Sequence, residues 1–222
     1  GCRWVGAVHE TLEWSIPDKA LWISEIYLDE KQDIAKDRSK YIDLLHMKID
    51  EGDSDWKTFY FLANEYMARN DISSSIKYRK ESFELCNDGG VSRSYVAKNI
   101  ATSYQRLESF EEAIHWFDTA VAESNERESW YAYAMMFYHL EDWENCLDRA
   151  TRCLQVTEQR NGYTFDPRAW SESPYDLAAL SSYNCQRYED AVKYGTTALE
   201  LRPDDVRLQQ NLAFYKMKCE TL

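Results

Sequence analysis

Glycine and proline are scarce in this chain of 222 residues, with 7 Gly and 4 Pro. So few breakers suit continuous helical hairpins. No phosphate-cradling glycine loop, HExxH or Ser-His-Asp order occurs, so the common nucleotide-loop, zincin and serine-hydrolase signatures are all missing. No apolar run reaches the roughly 18–20 residues of a membrane span. Neither end reads as a secretory signal. Basic residues are in deficit, 26 against 39 acidic, for a formal charge of −13, which disfavours capture of nucleic acid or of an anionic membrane. That acidity reads first as solvation of outer helix faces, and second as attraction for a basic partner. The six cysteines, at positions 2, 86, 146, 153, 185 and 219, form no CxxC and pair with no His at metal-ligand spacing. Cys146, Cys153 and Cys185 fall on helix-packing positions. Reduced core thiols and a cytoplasmic protein are expected.

What the chain has is repetition. FLANEY (61–66), NIATSY (99–104), YAMMF (133–137) and LAALSS (177–182) each precede a second segment: NDISSSIKY (70–78), ESFEEAIHW (108–116), EDWENCLDR (141–149) and QRYEDAVKY (186–194). The equivalent first-helix anchors are Leu62, Ile100, Tyr133 and Ala178, each followed by Ala63, Ala101, Ala134 or Ala179. The turn carries Ile72, Phe110, Trp143 and Tyr188. Three residues on stands a small residue: Ser75, Ala113, Cys146 and Ala191. Small residues let antiparallel helices approach, and the bulky turn residue fills the joint. The spacings, 38, 33 and 45 residues between anchors, bracket the 34 expected of tetratricopeptide (TPR) repeats. The fold expected is all-α: a TPR-like α-solenoid of about four helical hairpins plus a C-terminal cap helix, with a short β-hairpin-like segment at the N-terminus.

Composition divides the chain further. Residues 1–32 lack the repeat chemistry: RWVGAVHETLEW and ALWISEIYL read as β-like runs around the turn SIPDK. The chain opens at Gly1, without an initiator Met and inside such a run, so a truncation is expected. Residues 33–55 read as a linking helix, with a break at EGDSD and Asp53 or Ser54 as the N-cap of the next helix. Repeats are expected at about 56–87, 93–124, 127–156 and 174–202, within 56–203. The insert TEQRNGYTFDPRAWSES (157–173) reads as a surface loop packing Trp170 on the solenoid, or as a binding loop. Pro203 stops the last repeat, and 204–222 forms the cap helix from Asp204 or Asp205, with Val206, Leu208, Leu212 and Tyr215 as its apolar stripe.

Of the histidines, His46 and His115 sit on helices without a ligand-spaced partner and read as surface positions. His139, beside Tyr138, reads equally as groove lining. His9-Glu10 joins a metal ligand to an acid or base at a strand end. RWVGAVHETL, the helix containing KDRSKYIDLL and the following LANEY together resemble the join between catalytic and TPR regions in bacterial and phage family-2 glycosyltransferases of the GT-A type. The matching residues are Trp4, Val8, His9, Glu10, Arg38, Ser39, Tyr41, Leu44 and Leu45. FDPRAWSESPYDLAAL and the closing YEDAVKYGTTALELRPDDVRLQQNLAFYK resemble that family's last repeat and cap. The resemblance implies a remnant of the catalytic domain at 1–32, with His9 and Glu10 catalytic only within a complete parent enzyme. It also implies that the parent uses a nucleotide sugar and a divalent metal (Mg or Mn) held by an Asp-x-Asp upstream of Gly1. No complete metal site can be assembled from this chain, and the fragment alone is expected to be non-catalytic.

TPR arrays line their concave face with first-helix residues. By offset these include Tyr60, Asn64, Tyr95, Lys98, Asn99, Arg106, Tyr131, Tyr138, His139, Tyr183 and Asn184. Tyrosine and asparagine suit peptides or polar, flat-faced ligands. Tyr95, Tyr131 and Tyr138 are the expected anchors. A carboxylate clamp of the chaperone-tail kind needs basic residues where this chain has Glu128 and Ala132. Two functions follow: an acceptor-positioning or subunit-binding module of a glycosyltransferase, including self-association as a homodimer, or a free-standing cytosolic TPR scaffold.

Overall fold

The computed structural model describes residues 2–5, 11–14, 40–52, 54–159 and 164–221. Strands β1 (Cys2–Val5) and β2 (Thr11–Trp14) pair antiparallel, with Cys2 opposite Trp14 and Val5 opposite Thr11. The run RWVGAVHETLEW therefore holds two paired strands, one near each end, where a single run is expected. His9 and Glu10, the run ALWISEIYL and residues 33–39 of the expected linking helix all lie outside the described residues.

Ten helices follow. They are α1 (Tyr41–Asp50), α2 (Trp56–Ala68), α3 (Ile72–Leu85), α4 (Gly90–Arg106), α5 (Phe110–Glu123), α6 (Arg127–His139), α7 (Trp143–Gln155), α8 (Ser173–Asn184), α9 (Tyr188–Leu201) and α10 (Val206–Glu220). A short 3-10 helix, Pro167–Trp170, lies between α7 and α8. Consecutive helices pack as hairpins α2–α3, α4–α5, α6–α7 and α8–α9, and α10 closes on α9.

Every hairpin turns by the same backbone device. Asn70, Glu108, Glu141 and Gln186 take left-handed conformations, with φ of 62°, 56°, 55° and 60°. The next amide in each case reaches back five residues to a carbonyl: Asp71 to Tyr66, Ser109 to Tyr104, Asp142 to Phe137 and Arg187 to Ser182. This is a Schellman closure, which satisfies carbonyls that the helix end would otherwise leave open. Side-chain caps then start some of the second helices. Asp71 accepts from the Ser74 amide at 3.0 Å and Asp142 from the Asn145 amide at 3.2 Å. The first repeat begins at a capping box between Asp55 and Thr58, one residue beyond the expected Ser54.

The packing positions carry the core. Leu62, Ile100, Tyr133 and Ala178, the alanines that follow them, and Ser75, Ala113, Cys146 and Ala191 are all fully buried. In the middle of the array Phe117 stacks on Tyr133 (ring centroids 4.8 Å apart, 12° between planes), and Tyr133 stacks on Phe137 at 5.2 Å. α4 starts at Gly90, earlier than residue 93 of the expected repeat. Gly90 is needed there because a Cβ would run into the Glu123 carbonyl at the end of α5. In the last repeat Gly195 makes room for the Tyr215 ring of α10. Burial pushes the Cys146 thiol up to about 11 and the Cys153 thiol to about 12, while Cys185 is only half-buried.

Candidate partner-binding groove

The first-helix residues named above do not form one continuous surface. Five of them converge between α2 and α4. The Tyr60 and Tyr95 rings lie 5.6 Å apart, and the Lys98 ammonium sits 4.7 Å from the Tyr95 ring centroid. Asn99 donates its side-chain amide to the Tyr95 carbonyl at 2.7 Å. Asn64 accepts from Arg79 at 3.1 Å. Burial, and next the neighbouring Tyr95, raise the Tyr60 phenol far above its ordinary range, so it remains a neutral hydroxyl.

Arg79 is the residue that sequence reasoning missed. It lies on α3, seven positions after the turn residue, where the later repeats have Phe117, Ala150 and Gly195. The signal was available in that offset. Its guanidinium donates to the Asn99 carbonyl at 2.7 Å, the Ser103 hydroxyl and Asn64, so one side chain ties α3 to both groove-lining helices.

The other expected residues are placed differently. Arg106 is exposed and bridges back to the first turn, at 2.8 Å from the Met67 sulfur and 3.2 Å from Asn70 Oδ1. Tyr131, expected as an exposed anchor, is only 7% exposed and belongs to the core. The insert is one reason. Arg127 donates to the Ala169 carbonyl at 2.6 Å, its guanidinium carbon lies 4.5 Å from the Trp170 ring centroid, and the Trp170 indole donates to Glu128 at 2.7 Å. The insert thus packs Trp170 against the start of α6. Lys98 faces the same segment: burial lowers its pKa, opposed by Asp166 and Glu128. Tyr138 is half-buried and His139 exposed, with their rings 5.4 Å apart and Tyr138 6.1 Å from Trp143. Tyr183 lies among Tyr188, Phe214 and Tyr215, all within 5.5 Å, so it docks the cap helix; Asn184 beside it is exposed and bonds the Leu180 carbonyl.

Chemically, the α2–α4 cluster presents phenol rings and amides, with the Arg79 guanidinium buried behind them. Among the described residues no group of three or more His, Cys, Asp or Glu converges as a metal ion would require. No helix among them is long and apolar enough to cross a membrane.

The architecture defines a TPR-type solenoid of helical hairpins. Solved structures with the same architecture include YrrB, described as a TPR protein with an unusual peptide-binding site (15% identity, 81% of this chain and 85% of that one, TM-score 0.60). MamA from Desulfovibrio magneticus RS-1 is similar at 14% identity, over 74% of this chain and 85% of that one, with a TM-score of 0.58. A tetratricopeptide repeat protein from Parabacteroides merdae is similar at 12% identity, over 82% and 67%, with a TM-score of 0.58. No protein-family model matches the sequence, and no curated protein does.

Proposed function

We propose that this chain is a protein-interaction module whose α2–α4 groove docks an extended segment of a partner protein. The observation that carries the reading is the Tyr60–Asn64–Tyr95–Asn99 cluster, polar and half-buried. Paired tyrosines give contact area at little rotamer cost, and the amides beside them give direction. Peptide binding by the similar YrrB fold is in keeping with this use of the surface. The test is selection of random peptides on the full chain and on Tyr60→Ala/Tyr95→Ala. The selected peptides lose about tenfold or more in affinity on the double variant and little on Asn184→Ala. Equal binding to all three proteins rejects the groove.

The finer reading makes the module part of a family-2 glycosyltransferase, positioning an acceptor protein or a second subunit in the cytoplasm. Its support is the sequence: Trp4, Val8, His9 and Glu10 before the linking helix, and the FDPRAWSESPYDLAAL segment before the last repeat. In that reading the catalytic chemistry, with its nucleotide sugar and its Mg or Mn, belongs to residues preceding Gly1. Among the described residues no three His, Cys, Asp or Glu converge as such a metal would require. His9→Ala in the longest natural form of the protein should abolish sugar transfer from a nucleotide sugar; retained transfer removes His9 from the reaction. A free-standing scaffold uses the same groove with no such activity.

A further inference from the structure

α10 closes the array with one face and leaves the other open. Leu208, Leu212 and Tyr215 are buried, the last two over Gly195 of α9. Val206, expected on that stripe, lies on the opposite side of the helix and is 61% exposed. At 3.6 residues per turn it shares an arc of about 60° with Gln210, Ala213 and Met217, all of them exposed. Their spacing of four, three and four residues is that of a coiled-coil seam. Phe214 borders the seam, its ring 5.2 Å from Tyr183, and Leu201 stands exposed at the end of α9. Half of the large apolar side chains exposed among the described residues thus gather within 201–217. A solenoid covers such a face with its next helix.

The charges around the seam indicate what fits it. Residues 201–222 hold four basic side chains (Arg202, Arg207, Lys216, Lys218) against three acidic ones (Asp204, Asp205, Glu220), in a chain that carries −13. The rest of the molecule repels a second copy, and this end does not. The signs are also segregated along the helix. Asp204 and Asp205 stand at the start of α10 and Lys216 and Lys218 near its end, and neither lysine has an ion-pair partner among the described residues. Laid antiparallel on its own copy, α10 sets Val206 opposite Met217 and Gln210 opposite Ala213, and brings each acidic start to the other copy's basic end. Parallel pairing sets lysine against lysine and aligns the helix dipoles. At the centre of the antiparallel arrangement the two Gln210 amides come together, and an amide both donates and accepts, so like pairs with like. The small Ala213 beside them lets the backbones approach.

We propose that the outer face of α10 is an interface between two copies of this chain, paired antiparallel about a two-fold axis beside Gln210 and Ala213. A seam of four turns falls short of the roughly 800 Å² per partner of a standard interface, so the two copies associate reversibly. The surface shares no residue with the α2–α4 groove, and a pair of chains carries two such grooves, which strengthens capture of a partner with two docking segments.

The test is sedimentation equilibrium of the full chain over concentrations from about 1 μM to about 1 mM. A monomer–dimer equilibrium is expected. Val206→Glu and Met217→Lys should each weaken it at least tenfold without lowering the melting midpoint, since both side chains are at least half exposed. The two changes together should regain at least tenfold over Met217→Lys alone, because antiparallel pairing sets the introduced opposite charges face to face. Tyr60→Ala/Tyr95→Ala should dimerise as the unaltered chain does. A chain that stays monomeric throughout overturns the proposal. So does a dimer indifferent to both single changes, whose contact lies on another surface, or one lost in the groove variant. Loss in the single variants without recovery in the double overturns the antiparallel arrangement.

Discussion

Arg79 and Phe117 occupy the same position in successive repeats and do opposite things with it. In the α4–α7 region the position is a ring stacked into a ladder with Tyr133 and Phe137. In the α2–α4 region it is a cation held by a carbonyl, a hydroxyl and an amide. Both fill the joint between hairpins. The comparison teaches that a solenoid demands volume at this position and leaves its chemistry free, so one joint serves cohesion and the next can serve recognition.

The sharpest way to break that contrast is truncation at the two sites. Phe117→Ala should cost about 3–5 kcal/mol, since a fully buried ring leaves both its transfer energy and a cavity. Urea unfolding measures it, and a cost below about 1 kcal/mol would mean the ladder is not the core. The next effect is a pH dependence rooted in the middle of the array. Cys146 and Cys153 ionise at about 11 and about 12 in the fold, against an ordinary value of 9.0. Their neutral thiols contribute fully below 9.0. That contribution falls as pH rises beyond it, because the unfolded chain releases protons that the fold retains, by about 1.4 kcal/mol per pH unit for each thiol. Urea unfolding between pH 8.5 and 10 should show this slope, and Cys146→Ala with Cys153→Ala should flatten it. Arg79→Met, by contrast with Phe117→Ala, should change stability by no more than about 1 kcal/mol, because replacing an uncompensated buried charge with an apolar chain of similar length removes a cost along with a contact. The smallest effect lies in the turns. Glu141→Gly should raise stability by about 0.5–1 kcal/mol, since its left-handed φ of 55° burdens any side chain with a Cβ. A fall in melting midpoint would show that the Glu141 side chain itself contributes.

The repeat core was legible because its determinants are local. Ala63, Ala101, Ala134 and Ala179 recur at fixed offsets, and burial follows from helical geometry alone. Tyr131 misled for a complementary reason: its offset marks it as groove-facing, but contacts from an insert about forty residues away cover the helix it stands on, as the Trp170–Glu128 bond shows. Periodicity cannot report a contact of that range. The start of α4 was read late because Gly90 looks like a breaker. Its role is to let two backbones meet, which appears only when α5 is in place. Arg79 was readable and overlooked, since the turn residues fix its offset as firmly as that of Phe117.

The four turns carry one more consequence. Asn70, Glu108, Glu141 and Gln186 share a backbone conformation and the same return hydrogen bond without sharing a residue type. The instruction to reverse direction is written in main-chain atoms, which mutation does not replace. Lineages descending from one ancestral hairpin can therefore exchange nearly every visible letter of the motif and still inherit its shape. Resemblance in such a protein outlives spelling, and common ancestry is better sought in where the chain turns than in which residues turn it.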